Sequence, residues 1–249
     1  MKRFLLYSLL LLVSLSADAS VSHWESGNKA YIDGDYQKAI EEYTAIIDGG
    51  EYSMKLYYNL ANAYFKMGAN GKAILYYNKA LRIAPSQEDI RHNLAIAEAQ
   101  TKDRIAVIPE FFLNSWLRTV RNSMSCMAWS ILSLVAFGVL LAFALLFLLA
   151  SRLRWRKLGF YGALCAFMLF VATTSFAVSS RNDMLSHNEA IVMGSAISIK
   201  SSPDRSATDL FVLHEGTKVK VLTEVDEWVE VAIADGKKGW TERKNIEEI

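Results

Sequence analysis

Nine residues, Trp24, Asn28, Tyr31, Tyr58, Asn59, Asn62, Phe65, Lys66 and His92, combine side-chain amides, aromatic rings and two nitrogen bases near the start of this chain. An amide can both donate to and accept from a peptide backbone, and a ring supplies contact area. The set therefore suits the holding of an extended peptide or a partner helix. The alternative is that several of the nine simply pack the helices that carry them. A second aromatic pair, Trp228 and Trp240, is either a ligand shelf or part of the core of the element around it.

Catalysis has little to draw on. Nucleophilic chemistry needs a base within reach of Ser or Cys, and metal chemistry needs clustered ligands. His23, His92, His187 and His214 are dispersed without ligand spacing, and no glycine-rich phosphate loop occurs. Cys126 and Cys165, the only cysteines, fall within apolar stretches at different depths, roughly 25 Å apart along the membrane normal, too far for a disulfide. We expect no enzyme, no cofactor and no metal.

The elements that must position the nine residues show in a period of 34: Gly27, Asn28, Tyr31, Gly34, Ala39-Ile40 and Tyr43 align with Ala61, Asn62, Phe65, Gly68, Ala73-Ile74 and Tyr77, and Pro85 closes the second copy. Small residues permit close approach of two antiparallel helices, large tyrosines fill between them, and the glycines allow the turns. The pattern resembles the tetratricopeptide repeat, looser in the first copy, where His23 and Ser26 stand at positions usually large and apolar. A partial third copy, Glu88 to Asp103, supplies a capping helix with polar Asp89, Arg91, Glu98 and Gln100. The resemblance implies a concave groove formed by successive first helices, and the nine residues face it by register. Some relatives clamp a C-terminal carboxylate there with Asn and Lys residues. Asn28 and Asn59 resemble two of these, but Trp24 and Asp89 stand where cations are required, so no clamp is expected.

Met127–Ala150 and Leu158–Val178 are free of charge and, at 24 and 21 residues, long enough to cross a hydrocarbon core of about 30 Å. Between them Arg152, Arg154, Arg156 and Lys157 mark a turn retained in the cytoplasm, which puts both flanks outside. Arg118, Arg121 and Arg181 pull the other way but are sparser. Lys2-Arg3, an apolar run of 12 residues from Phe4 to Leu15, and Ala17-Asp18-Ala19 read as a leader cleaved after Ala19. Glu110 to Asn122 forms an interfacial helix, or a plain linker helix, with Leu113, Trp116, Leu117 and Val120 on one face. Phe112 and Trp116 suit the headgroup boundary, and Arg118 and Arg121 can reach lipid phosphates. Gly138 and Ala142, and Gly159 and Ala163, offer small residues four apart for helix contact.

From Asn188 onward the pattern changes to short alternating runs, five strands in all, separated by turns at Ser202-Pro203-Asp204, Glu215-Gly216-Thr217 and Asp235-Gly236. Ser201-Ser202-Pro203, Leu213 to Thr217, Glu227 to Val231 and Asp235 to Trp240, in that order, resemble the bacterial SH3-like domain. Its relatives bind peptides or cell-wall glycopeptide.

The expected architecture is a multidomain membrane protein: a leader at 1–19, an all-α tetratricopeptide-repeat domain at 20–104, a linker and juxtamembrane helix at 105–126, a two-helix transmembrane hairpin at 127–150 and 158–178 joined by a basic turn at 151–157, and an all-β SH3-like small barrel at 187–249. Neither outer domain is basic. Residues 20–104 carry 10 Lys/Arg against 11 Asp/Glu, and residues 181–249 carry 9 against 13, so no field exists to collect nucleic acid. The order of parts resembles the BatE-type proteins of Bacteroides aerotolerance gene clusters. Its most specific segments are Thr101 to Ile105 leading into Ile108 to Phe112, Lys200 to Asp204, and Asp209 to Thr217. That resemblance implies an inner-membrane scaffold with both domains in the periplasm, working beside von Willebrand A-domain membrane proteins and a MoxR-type ATPase in envelope assembly or stress tolerance. The alternative is an envelope receptor whose barrel binds peptidoglycan or peptide.

Overall fold

The structure, a computed structural model, describes residues 20–106, 111–185 and 188–249. The expected leader, Pro109 and His187 lie outside the described residues. Those described fall into two compact units: one joins the N-terminal helices to the C-terminal sheet, and the other is the apolar hairpin with the helix that precedes it.

In the first unit the helices are α1 (residues 20–32), α2 (Tyr36–Asp48), α3 (Met54–Lys66), α4 (Asn70–Ile83) and α5 (Glu88–Ala99). Each shows its core through apolar residues three and four apart. Ala39, Ile40, Tyr43 and Ile46 are the buried set of α2, and Leu56, Leu60, Ala61 and Ala63 that of α3. Asp35 caps α2 through the Lys38 N–H at 3.1 Å, and Ser53 caps α3 through Leu56 N–H at 3.2 Å. Gly34 and Gly68, at φ +81° and +78°, make the same left-handed turn one period apart. A Cβ on Gly27 would come within 2.7 Å of the Tyr43 ring, so the small-against-large pairing expected of the repeat is a real contact. His23 and Ser26, the two departures from the repeat pattern, both bond Glu42, at 2.6 and 2.9 Å. A polar clamp thus stands where an apolar contact was expected.

The sheet has seven antiparallel strands, β1 (Glu189–Val192), β2 (Ala196–Lys200), β3 (Asp209–His214), β4 (Lys218–Val225), β5 (Trp228–Ala232), β6 (Lys238–Glu242) and β7 (Ile246–Glu248), in the order β3-β2-β6-β5-β4-β1-β7. Sequence pattern shows only the first five. Gly239 interrupts the apolar signal of β6, and β7 is a three-residue strand that includes two glutamates. One core, including Val192, Ile199, Leu213, Val219, Val229 and Val231, holds the sheet together.

In the second unit, α6 (Phe112–Arg121) leads to α7 (Cys126–Leu149) and α8 (Leu153–Leu185). The latter two are long and apolar enough to cross a membrane, and only 11% of the most apolar window of each is buried. Little of either is covered by the described residues, and Leu134, Leu148, Phe167 and Met168 stand exposed. The basic connector is shorter than residues 151–157: α8 begins at Leu153, so Arg154, Arg156 and Lys157 lie in its first turns. Leu-Arg-Trp-Arg-Lys contains no helix breaker, which explains the early start. The helices meet at Gly159, where a Cβ would fall 2.5 Å from the Phe147 backbone nitrogen, and at Gly162, against the Phe143 ring. Gly138 has nothing within 4 Å and makes no such contact, because it lies off the packed seam. Ser133 and Thr174 hydroxyls pair at 2.7 Å across that seam. Both cysteines are free thiols.

Candidate functional site

The amides of the expected groove are engaged with one another, in a pattern that repeats. Asn28 Oδ1 accepts from the Tyr43 hydroxyl at 2.8 Å and from Asn59 Nδ2 at 3.0 Å. Thirty-four positions on, Asn62 Oδ1 accepts from the Tyr77 hydroxyl at 2.6 Å and from Asn93 Nδ2 at 3.1 Å. Each first-helix asparagine thereby joins its own second helix to the next first helix. Tyr43 and Tyr77 are buried, and burial raises both hydroxyls above the usual tyrosine range, keeping them neutral donors. Asn93 Nδ2 also reaches the Tyr58 hydroxyl at 3.0 Å. Asn28, Asn59 and Asn62 are thus structural first, with both lone pairs of the two acceptor oxygens already in use.

What the ladder leaves for a ligand is mainly the aromatic and basic part of the set. Tyr31 and Phe65 are half-buried, and Lys66 and His92 are exposed. Tyr31 packs edge-on against Tyr36 at 5.4 Å; burial and the neighbouring Tyr36 and Tyr58 raise its hydroxyl. Trp24 does not join them. It lies against Tyr43 at 5.8 Å and lines a separate cavity of about 370 Å³ with Ile46, Tyr52 and Lys55.

The helices and the sheet share an interface. Ala190-Ile191-Val192 of β1 is an unbroken apolar run with both faces covered: Ala190 and Val192 enter the sheet's core, while Ile191 joins Ala73, Ile74 and Ala97 of the helices. Ile249 enters the same helical cluster. Around this apolar centre, Asp103 Oδ2 accepts from the His214 backbone N–H at 2.7 Å and the Thr217 hydroxyl at 2.6 Å, and Asp103 Oδ1 meets His214 Nδ1 at 2.7 Å. Burial by itself would raise the Asp103 carboxyl; the bonds from Thr217 and His214 outweigh it and hold the group below the usual range. Glu215 Oε1 accepts from Gly71 N–H at 3.0 Å, a carboxylate at the N-terminus of α4 supplied by the sheet. Lys72 and Glu247 pair at 2.5 Å. Gly216, at φ +87°, is pressed so close that a Cβ would meet Thr101 Cγ2 at 2.8 Å and Ile74 Cδ1 at 2.9 Å.

Asp103, His214, Glu215 and Gly216 were not among the candidates. Asp103 and the 214–217 turn fall within Thr101 to Ile105 and Asp209 to Thr217, two of the segments that carry the family resemblance, and these meet through the Asp103 bonds.

Trp228 and Trp240 are half-buried on the outer face of the sheet. Register sets Trp228 opposite Glu242 and Trp240 opposite Glu230, while the intervening Val229, Val231 and Thr241 fill the other face. Both rings thus lie on the face opposite the sheet's main core. Glu242 is held by Arg205 at 3.2 Å and Lys244 at 2.5 Å, and Lys238 approaches Glu230 at 3.6 Å. The face thus alternates rings with paired charges. Among the described residues no group of three or more His, Cys, Asp or Glu could hold a metal ion.

No curated protein matches the chain. Residues 55–87, α3 and α4 with the turns at their ends, match the tetratricopeptide repeat family, and residues 195–247 match the bacterial SH3 domain family. The chain thus couples a tetratricopeptide-repeat helical domain to a bacterial SH3 domain through a shared apolar and hydrogen-bonded interface.

Proposed function

We propose that this protein is a membrane-anchored scaffold of the cell envelope, without enzymatic activity, that recruits other proteins through Tyr31, Tyr58, Phe65, Lys66 and His92. The observation that carries this reading is the Tyr43–Asn28–Asn59 bond set and its copy at Tyr77–Asn62–Asn93. It sets successive first helices side by side, so aromatic and basic side chains lie along one rigid face.

The hairpin α7–α8 is the anchor in this reading, with its basic connector in the cytoplasm and both flanking domains in the periplasm. Docking of the N-terminal helices on the C-terminal sheet supports it, since domains on either side of a two-span hairpin emerge on one side of the bilayer. The proposed setting is a Bat-type assembly in the inner membrane, with von Willebrand A-domain membrane proteins and a MoxR-type ATPase system as partners in aerotolerance or envelope assembly. The test is affinity purification of tagged full-length protein from mildly solubilised membranes, with the Phe65→Ala/Lys66→Glu double variant beside it. The same proteins recovered in equal amount by both would overturn the groove reading.

A second reading has its own observation, the outward Trp228 and Trp240. A half-buried ring pair on the outer face, flanked by paired charges, suits a peptide or the glycopeptide of peptidoglycan. Full-length protein should then sediment with purified wall sacculi, and Trp228→Ala/Trp240→Ala should not. Equal sedimentation would remove that reading.

A further inference from the structure

The residues of α6 divide by chemistry around the helix axis. At about 100° per residue, Phe112, Trp116, Val120, Leu113 and Leu117 fill one arc of about 140°, and Arg121, Asn114, Arg118, Ser115 and Thr119 fill the rest. None of them is buried. A helix that only linked two domains would lay its apolar arc on the nearest packed neighbour. The structure shows the reverse. Asn114, Arg118 and Arg121, with Leu117 at the edge of the apolar arc, line a cavity of about 650 Å³ whose other wall is Ser175, Phe176 and Ser179 of α8. Phe112, Leu113 and Trp116 lie off that cavity and are 71%, 44% and 58% exposed.

Bonds hold the helix in this inverted orientation. Arg121 donates to Ser179 Oγ at 3.0 Å and pairs with Asp183 at 2.7 Å. Trp129 Nε1, near the start of α7, donates to the Arg121 carbonyl at 2.9 Å. Both long helices thus grip the end of α6, which cannot roll its apolar arc onto them without breaking these contacts. The start of α7 and the end of α8 meet at this level, where Cys126 Sγ lies 3.7 Å from the Ala177 carbonyl. That end of the hairpin has uncovered apolar surface of its own, since Met127, Ile131 and Val178 are exposed.

We infer that α6 is a third membrane element, seated in the bilayer surface with Phe112, Leu113 and Trp116 among the upper acyl carbons and its polar arc against the end of α8. Continuity decides the occupant. The exposed arc of α6 and the exposed apolar residues of α7 and α8 stand at the same end of the hairpin, so a single lipid surface covers all of them. An indole and a phenyl ring suit this depth, where one side of the helix is wet and the other apolar. The chain therefore reaches the membrane at Phe111, itself exposed, before the first span begins at Cys126. The inference rests on the reading of the hairpin as a membrane anchor.

The experiment uses full-length protein with Cys126→Ser and Cys165→Ser, spin-labelled at one introduced cysteine and reconstituted in phosphatidylcholine vesicles. Electron paramagnetic resonance then compares collisions of the label with oxygen, which partitions into lipid, and with a water-soluble nickel chelate. Leu113→Cys and Trp116→Cys should favour oxygen, and Ser115→Cys and Thr119→Cys the chelate, so the preference alternates along the helix. Leu134→Cys, within α7, reports on the anchor and should favour oxygen. Chelate preference at all four α6 positions, with oxygen preference at Leu134→Cys, overturns the seating of α6 alone. Chelate preference at Leu134→Cys as well overturns the anchor with it. Labels at 113 and 116 shielded from both reagents, and broadened by a second label nearby, would overturn the lipid in favour of a second copy of the chain. A check without labels compares wild type with Trp116→Phe in vesicles of phosphatidylcholine brominated on its upper acyl carbons. Trp116→Phe should lose part of the indole quenching that wild type shows, and equal quenching of the two overturns the seating.

Discussion

His214 Nδ1 lies 2.7 Å from Asp103 Oδ1, across 111 residues of sequence that include both apolar helices. A carboxylate only accepts, so the ring nitrogen facing it carries the proton. The second oxygen of the same carboxylate takes the His214 backbone N–H and the Thr217 hydroxyl. One side chain at the end of the helical domain therefore satisfies three donors of the β3–β4 turn. The turn cannot leave the helices without stranding or rehydrating all of them.

Asp103→Ala should consequently cost about 2–4 kcal/mol, since it leaves donors at a largely buried site without an acceptor. Hydrogen exchange on full-length protein in detergent reads the effect locally. Protection should fall at 214–217 and in the first turn of α4, and much less in β5 and β6, whose bonds are internal to the sheet. Uniform loss across the sheet, or none, would contradict a latch at Asp103.

The same carboxylate predicts a pH dependence. Its native value is held below the ordinary one of about 3.9, so its contribution is complete above about pH 4 and is lost as pH falls through the lowered native value. Protection of the 214–217 turn should be flat from neutral pH down to about pH 4 and decline below it. In Asp103→Ala that acid-side decline should shrink, because the group that titrates is gone.

Gly216 and Gly34 share a left-handed backbone, at φ +87° and +81°, but differ in surroundings. A Cβ at Gly34 meets nothing within 4 Å, whereas at Gly216 it meets Thr101 and Ile74 below 3.0 Å. Gly34→Ala should cost only the backbone strain, about 1 kcal/mol. Gly216→Ala adds overpacking of about 1–3 kcal/mol and should lower the unfolding midpoint distinctly more. Equal midpoints would mean that the helices and sheet do not press together at this glycine.

These relationships mark where sequence reading stopped. Period-34 similarity is local and revealed the helical hairpins, the turns at Gly34 and Gly68 and the small-to-large packing of Gly27 on Tyr43. Alternation revealed β1 to β5. The docking of the two domains depends on pairs more than a hundred residues apart, and its one local trace, the unalternating Ala190-Ile191-Val192, is too short to separate a doubly covered strand from an ordinary one. Groove register likewise named Asn28, Asn59 and Asn62 but not their partners. The ladder is visible only when Tyr43, Tyr77 and Asn93 are placed in space.

Within the groove, support and recognition should separate by mutation. Asn62→Ala strands the buried Tyr77 hydroxyl and one Asn93 contact, so it should destabilise the helical domain by about 1–3 kcal/mol. Lys66, exposed at the end of α3, has no comparable role, and Lys66→Glu should change stability by less than about 0.5 kcal/mol. If the groove recruits partners, Lys66→Glu should nevertheless reduce co-purification, by reversing a charge on the proposed binding face. Thermal unfolding and co-purification measured on the same two variants test this directly. Lost stability with retained partners in Asn62→Ala, and the converse in Lys66→Glu, is the expected result. A Lys66→Glu protein that keeps both its stability and its partners would move recognition away from the end of α3.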